Sequence, residues 1–169
     1  MTNDISNHLS RLLFPYWCRL LGYFISISGI LAACLLYVLN LKPAFLNIKV
    51  FAVFSYYFDK KYFSVIENDV GEEIIIILIL TGLFLISFSK LKIESDVSVL
   101  LRIKALLLSV YINTIFLLLS TLFIYGIGFL AITVFNCFSL FVINITIFAI
   151  LLLKHKKQIQ LHGSLSQVY

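Results

Sequence analysis

Residues 72–104 read EEIIIILILTGLFLISFSKLKIESDVSVLLRIK, and the fold is decided by how this stretch divides. An uncharged run, Ile74 to Phe88, ends in the turn Phe88-Ser89-Lys90-Leu91-Lys92-Ile93-Glu94-Ser95-Asp96, and a second apolar run begins directly behind it. Two such runs either side of a short charged turn predict two antiparallel membrane-crossing helices, since about 20 residues span the ~30 Å hydrocarbon core. The first is predicted over 72–90 and is short unless its flanking polar residues are included; the charged turn covers 89–96. Ser95 or Asp96 is placed to cap the second. That helix is predicted over 97–125 and, at 1.5 Å per residue, is roughly 43 Å long. Its first two turns, with Arg102 and Lys104, are therefore expected to project into the cytoplasm or lie among the headgroups.

Composition agrees with a membrane reading. Hydrophobic residues are 62% and charged residues 12% of the 169, against roughly 45–50% and 25% in soluble domains. A domain of this size leaves too much surface wet to hide such an excess, so the lipid bilayer is the expected solvent and partner. The net charge of +5 comes from basic residues flanking apolar runs, with no stripe of exposed aromatics, which argues against nucleic acid. Cys18, Cys34 and Cys137 all fall in apolar runs and show neither metal nor disulfide spacing.

Upstream, Met1 to Ser10 is a polar lead-in. Arg11 to Arg19 sets Phe14, Tyr16 and Trp17 beside two arginines, a mixture selected by the membrane–water interface. A first span is predicted over 17–41, ended by Pro43. Within it Gly22, Ser26, Gly29 and Ala33 share a narrow arc, a small-residue stripe that lets another helix approach closely. Leu31-Ala32-Ala33-Cys34 matches a lipoprotein cleavage box. The apolar run continues through Leu39, however, whereas a cleavable core is short and ends in small or polar residues, so Cys34 is read as part of the span. The loop 42–71 mixes aromatics with charge. Two stretches near Ile48–Phe58 and Tyr62–Ile66 flank Asp59-Lys60-Lys61, which predicts a small β-hairpin or an interfacial flap. Asp69 to Glu72 has capping-box spacing, with Glu73 in the same first turn.

Downstream, Gly126 and Gly128 predict a tight turn into a fourth helix over 130–153. Lys154-His155-Lys156-Lys157 is expected to end it and leave a polar tail, 154–169. The N-terminal segment through Arg19, the turn region through Lys104 and the tail hold nine of the thirteen lysines and arginines; the long loop holds four, accompanied by five acids counted through Glu73. The positive-inside rule then predicts a multi-pass protein with both termini cytoplasmic, and the membrane is expected to be a bacterial inner membrane.

The third predicted helix carries the most suggestive polar stripe. Arg102, Ser109, Asn113 and Ser120 are spaced 7, 4 and 7, which sets them on one face. On the fourth, Asn136, Ser139 and Thr146 form a looser arc, with Asn144 to one side. Asparagines within a bilayer need partners, so Asn113 and Asn136 are expected to join helices three and four, or to join two copies of the chain. A polar pocket for a small ligand is the alternative. No Asp, Glu or Lys sits deep in any span, so the usual mark of a proton relay is missing. His8, His155 and His162 lie outside the spans without ligand spacing, and no phosphate loop or nucleophile motif occurs. No cofactor, metal or catalytic residue is expected.

The second half resembles a known pattern. Phe88-Ser89-Lys90-x-Lys92-Ile93-Glu94, Arg102, Tyr111-x-Asn113, Phe123-x-Tyr125-Gly126-x-x-Phe129-Leu130 and Asn136-x-Phe138-Ser139 are similar to a family of small, uncharacterised four-helix bacterial membrane proteins. The resemblance covers about Glu72 to Ile143. Where this chain has Leu91 and Ser95, the family's turn carries more acid. What the resemblance implies is four helices and no assigned activity.

The expectation is thus an all-α membrane protein with four transmembrane helices and a small hairpin between the first two. It is expected to be non-enzymatic and to act through a membrane-protein partner or a homo-oligomer, and the cytoplasmic turn residues Lys90, Lys92, Glu94, Asp96 and Arg102 are where a soluble partner would be met. A transporter or channel subunit using the polar face of helix three is the first alternative, and an enzyme acting on lipid the second.

Overall fold

The computed structural model describes residues 11–39, 46–56, 60–92 and 95–165. Its helices are α1 (Tyr16–Tyr37), α2 (Gly71–Phe88), α3 (Asp96–Phe123) and α4 (Ile127–Leu165). A hairpin of β1 (Asn47–Tyr56) and β2 (Lys60–Asp69) lies between α1 and α2. All four helices are long and apolar enough to cross a membrane. The chain is an all-α, multi-pass membrane protein with a small hairpin in its first connection.

Much of the interior is small or polar, with Leu36, Ile75, Ile86, Val99 and Phe148 as the larger buried apolar residues. Along α1 the buried residues are Gly22, Ser26, Gly29 and Leu36, with Ala33 half-buried. Gly22 and Ser26 meet Gly82 of α2, and Gly29 meets Ile79. A Cβ on Gly82 would overlap Ser26 Oγ and stand 2.6 Å from Ser26 N and 2.8 Å from Gly22 O, and one on Gly29 would stand 2.8 Å from Ile79 Cγ1. The two backbones therefore approach as only glycines allow. In lipid, where apolar burial gives no net drive, such close packing is what holds helices together.

A short pairing fastens the chain ahead of α1 to the end of α2. Phe14 N–H donates to Phe88 O at 3.0 Å, and Lys90 N–H donates to Phe14 O at 2.9 Å. Rings gather around it: Phe84 lies 5.0 Å from Phe88 and 6.0 Å from both Phe14 and Phe141, centroid to centroid. Because Leu152, His155 and Lys156 of α4 share a groove with Lys92 and Ser95, the start of α1, the α2–α3 turn and the far part of α4 occupy one end of the bundle. The hairpin and the α3–α4 turn occupy the other.

Several boundaries differ from expectation. The helix of the first span ends at Tyr37, with Val38 N–H closing onto Cys34 O at 2.9 Å, ahead of Pro43, which lies outside the described residues. The capping box at Asp69–Glu72 does not form. Val70 is the N-cap and its side chain makes no cap bond; Asp69 Oδ1 instead accepts from Gly71 N–H at 3.0 Å, because Asp69 also ends β2 and stands one residue too early. Lys60 and Lys61 belong to β2, in register with Tyr56 and Ser55, while Asp59 lies outside the described residues. The basic cluster after Leu153 does not stop α4, which continues to Leu165. Lys and Gln are good helix formers, and the sequence offers no proline or helix-ending glycine before Gly163.

Candidate functional site

The polar stripe of α3 faces inward. Arg102 (7% exposed), Ser109 (0%), Asn113 (8%) and Ser120 (5%) are all buried, on the same seam as Ser98 and Ala105. The serines turn back on their own helix: Ser109 Oγ donates to Leu106 O and Ser120 Oγ to Phe116 O, each at 2.8 Å. The asparagines reach across. Asn113 Nδ2 donates to Asn136 Oδ1 at 3.0 Å, and Asn136 Nδ2 donates to Asn113 O at 3.3 Å. The contact joins α3 and α4 within one chain. Ser139 is half-buried and Thr146 exposed, Thr146 Oγ1 donating to Val142 O of its own helix.

Arg102 is buried against the last turn of α2 instead of standing clear of the bundle. Its Nη1 donates to Ser87 O at 2.8 Å, and its guanidinium carbon lies 4.5 Å from the centroid of the Phe148 ring. The reason is local: Ser87 lies in the last turn of α2, where its carbonyl has no onward helical partner, and a guanidinium supplies that donor. Stacking on Phe148 adds a cation–π contact.

Ser87 is the residue that sequence reading missed. Besides taking Arg102 on its carbonyl, it accepts a short hydrogen bond at Oγ from Asn144 Nδ2. Asn144 is 3% exposed and its Oδ1 has no hydrogen-bond partner. Eight positions separate Asn136 from Asn144, which turns them roughly 80° apart on α4. That angle aims Asn136 at α3 and Asn144 at α2. The helical wheel shows the angle; it does not show that α2 stands there. Beside this trio a cleft of about 170 Å³ opens, lined by Leu12, Leu13, Phe88, Val99, Arg102, Ile103, Leu106 and Asn144.

The charged turn builds a second feature. Ser95 is the N-cap of α3 and accepts from Ser98 N–H at 3.2 Å. Lys90 is half-buried against the Phe14 pairing, whereas Lys92 and Asp96 are exposed; Glu94 lies outside the described residues. A groove of about 450 Å³ runs from Leu91, Lys92, Ser95 and Ser98 to Leu152, His155, Lys156 and Ile159 of α4. Its walls are basic, hydroxylated and aliphatic, a surface suited to anion recognition. Among the described residues no three of His, Cys, Asp and Glu come together in a group that could hold a metal ion. The chain matches no known protein family, no curated protein and no solved structure.

Proposed function

We propose that the chain is a non-enzymatic protein of the bacterial inner membrane, threaded with both termini cytoplasmic, that acts by holding an acidic segment of a partner protein at its basic end. The observation that carries this reading is the groove joining Lys92 to His155 and Lys156. It stands where α4 leaves the apolar run: residues 154–165 continue the helix for about 18 Å at 1.5 Å per residue. That extension reaches past the headgroup layer and favours a protein over a lipid headgroup as the occupant. A second copy is the weaker choice. Glu67, Asp69, Glu72 and Glu73 lie at the opposite end of the bundle, so a copy in the same orientation presents few carboxylates here. The polar face of α3 is buried, with Arg102 bonded to α2 and Asn113 to α4, which favours a packing role over a permeation path.

A photoreactive amino acid at Lys92, and another at Ile159, tests the proposal in intact cells. The expected result is one discrete protein adduct from both sites, lost when Lys156→Glu is combined with the Ile159 probe. Adducts to lipid alone, or an adduct indifferent to charge reversal, would overturn it. Reporter fusions after Lys60, Lys92 and Tyr169 test the threading; an exported reporter at Lys92 would invert it.

A further inference from the structure

The hairpin at the other end of the bundle carries an apolar patch that is open on one face. In the register of its strands Phe51 lies opposite Val65, and Lys49 opposite Glu67. Side chains two positions apart share a face, so Phe63 joins Phe51 and Val65, and the two rings stand 6.4 Å apart, centroid to centroid. All three are open: Phe51 is 63% exposed, Phe63 71% and Val65 64%. Toward the base of the hairpin the same face ends in an exposed ion pair, Lys49 Nζ lying 3.7 Å from Glu67 Oε1. Phe63 takes φ +47°, a left-handed backbone that a bulky side chain rarely adopts, and such outliers persist where a particular placement matters.

What covers the patch follows from where the hairpin is fixed. Val70 N–H donates to Leu46 O at 3.1 Å and closes the base, and Val70 alone separates β2 from α2. A Cβ on Gly71 would stand 3.2 Å from Leu46 Cδ1 and 3.4 Å from Leu36 Cδ1. The base therefore sits on the last turn of α1 and the first of α2, within one turn of Ile74, where the uncharged run begins. Phe51 and Val65 are four residues from the base, about 13 Å at ~3.4 Å per residue, and Phe63 is six, about 20 Å. Upright, the hairpin would lift the patch beyond a headgroup layer about 5–8 Å deep, into water, where two strands alone are marginal. Inclined, it brings the rings to the depth that selects aromatic side chains. A surface tethered this close is at high effective concentration, which favours the bilayer over an occupant that must diffuse to the patch. Edge-to-edge pairing with a second copy is the rival. It would use backbone groups and leave Phe51, Phe63 and Val65 in water.

We propose that the hairpin folds down onto the bilayer its own helices cross, seating Phe51, Phe63 and Val65 at the boundary between headgroups and acyl chains. The lipid surface is then a ligand of the hairpin, independent of the basic groove and of the direction in which the chain is threaded.

The test is tryptophan fluorescence. Trp17 is the single tryptophan, so Phe63→Trp in a Trp17→Phe background gives one reporter on the patch. The full chain is reconstituted in phosphatidylcholine vesicles, plain or brominated near the ester end of the acyl chains, with acrylamide added on both sides of the bilayer. The expected result is emission at short wavelength, quenched by the brominated lipid, weakly quenched by acrylamide and unchanged when the protein is diluted in lipid. Phe51→Trp in the same background should behave alike. Val65→Glu should reverse the pattern, moving emission to longer wavelength and exchanging bromine quenching for acrylamide quenching. Because a new carboxylate could also undo the strands, Ile48→Glu serves as the second variant. Ile48 lies on the other face and is 46% exposed; the same charge change there should leave the Phe63→Trp signal as it was. A reporter open to acrylamide and indifferent to bromine would set the hairpin in water and overturn the proposal. Shielding from both quenchers that is lost on dilution would give the face to a second copy and overturn it too, as would equal release by Ile48→Glu and Val65→Glu.

Discussion

Gly82→Ala separates tertiary packing from helix propensity, because the two predict opposite signs. In a helix interior Ala is favoured over Gly by about 1 kcal/mol. Here the added methyl would stand 2.6 Å from Ser26 N and 2.8 Å from Gly22 O, and would overlap Ser26 Oγ. The hydroxyl can rotate away; the two backbone atoms cannot. α1 and α2 must separate by several tenths of an ångström, and a gap of about 0.5–1 Å already forfeits roughly a quarter to a half of each dispersion contact along the seam. Overpacking of this kind costs about 1–3 kcal/mol, and the rigid neighbours put this site in the upper half. After the propensity gain, the net loss should be about 1–2 kcal/mol. The assay is reversible unfolding from mixed micelles by SDS titration, with helicity and Trp17 fluorescence as probes. Gly128→Ala is the control, since its new methyl meets only Ile124 Cγ2 at 3.5 Å and should leave stability unchanged or raised. Ser26→Gly in the Gly82→Ala background should recover only part of the loss, because the backbone nitrogen at position 26 remains in the way. If Gly82→Ala is as stable as the parent, the close approach of α1 to α2 is wrong.

Three further outcomes follow from the same geometry. Replacing Asn113 and Asn136 by Leu, singly and together, should give a coupling energy of about 0.6–1.7 kcal/mol in a double-mutant cycle, with Asn136→Leu the costlier single change because the Asn136 side chain takes part in both interhelical bonds; additivity would contradict the contact. Ser95→Ala should lower stability by about 1 kcal/mol through loss of the cap on Ser98 N–H, whereas Ser95→Asp should keep it, as read by the same SDS titration. Gly126 takes φ +69°, and a methyl added there would meet nothing within 4 Å, so Gly126→Ala should cost about 1–2 kcal/mol by backbone strain alone; a neutral result would mean that the α3–α4 turn does not hold position 126 at positive φ.

Much of the architecture was legible because its signals are local. The apolar runs, the charged turn and the Ser95 cap need no knowledge of a neighbour. Neither does the arc of Gly22, Ser26 and Gly29. The seam of α3 was legible too, since small and polar residues repeating on one face of an apolar helix have few uses in lipid other than contact. Helix ends fared worse. The Asp69 spacing fits a capping box, but whether Asp69 ends a strand depends on β1 lying opposite, and the basic cluster past Leu153 resembles a helix stop only until the helix formers around it are weighed. The partners of Arg102 were not legible for a related reason: counting residues gives the position of Arg102 along its helix but not what α2 offers it.

The sequence by itself determined that this chain belongs in a bilayer, how many times it can cross and which faces of its helices are small or polar. Those properties follow from composition and from the 3.6-residue period, both of which lie along one chain direction. Only the tertiary structure decided which faces meet. It set Asn113 against Asn136 and brought Ser87 under both Arg102 and Asn144. Such pairings depend on the angle and distance between helices far apart in sequence. Periodicity fixes where on a helix a side chain stands, while packing alone fixes what stands opposite.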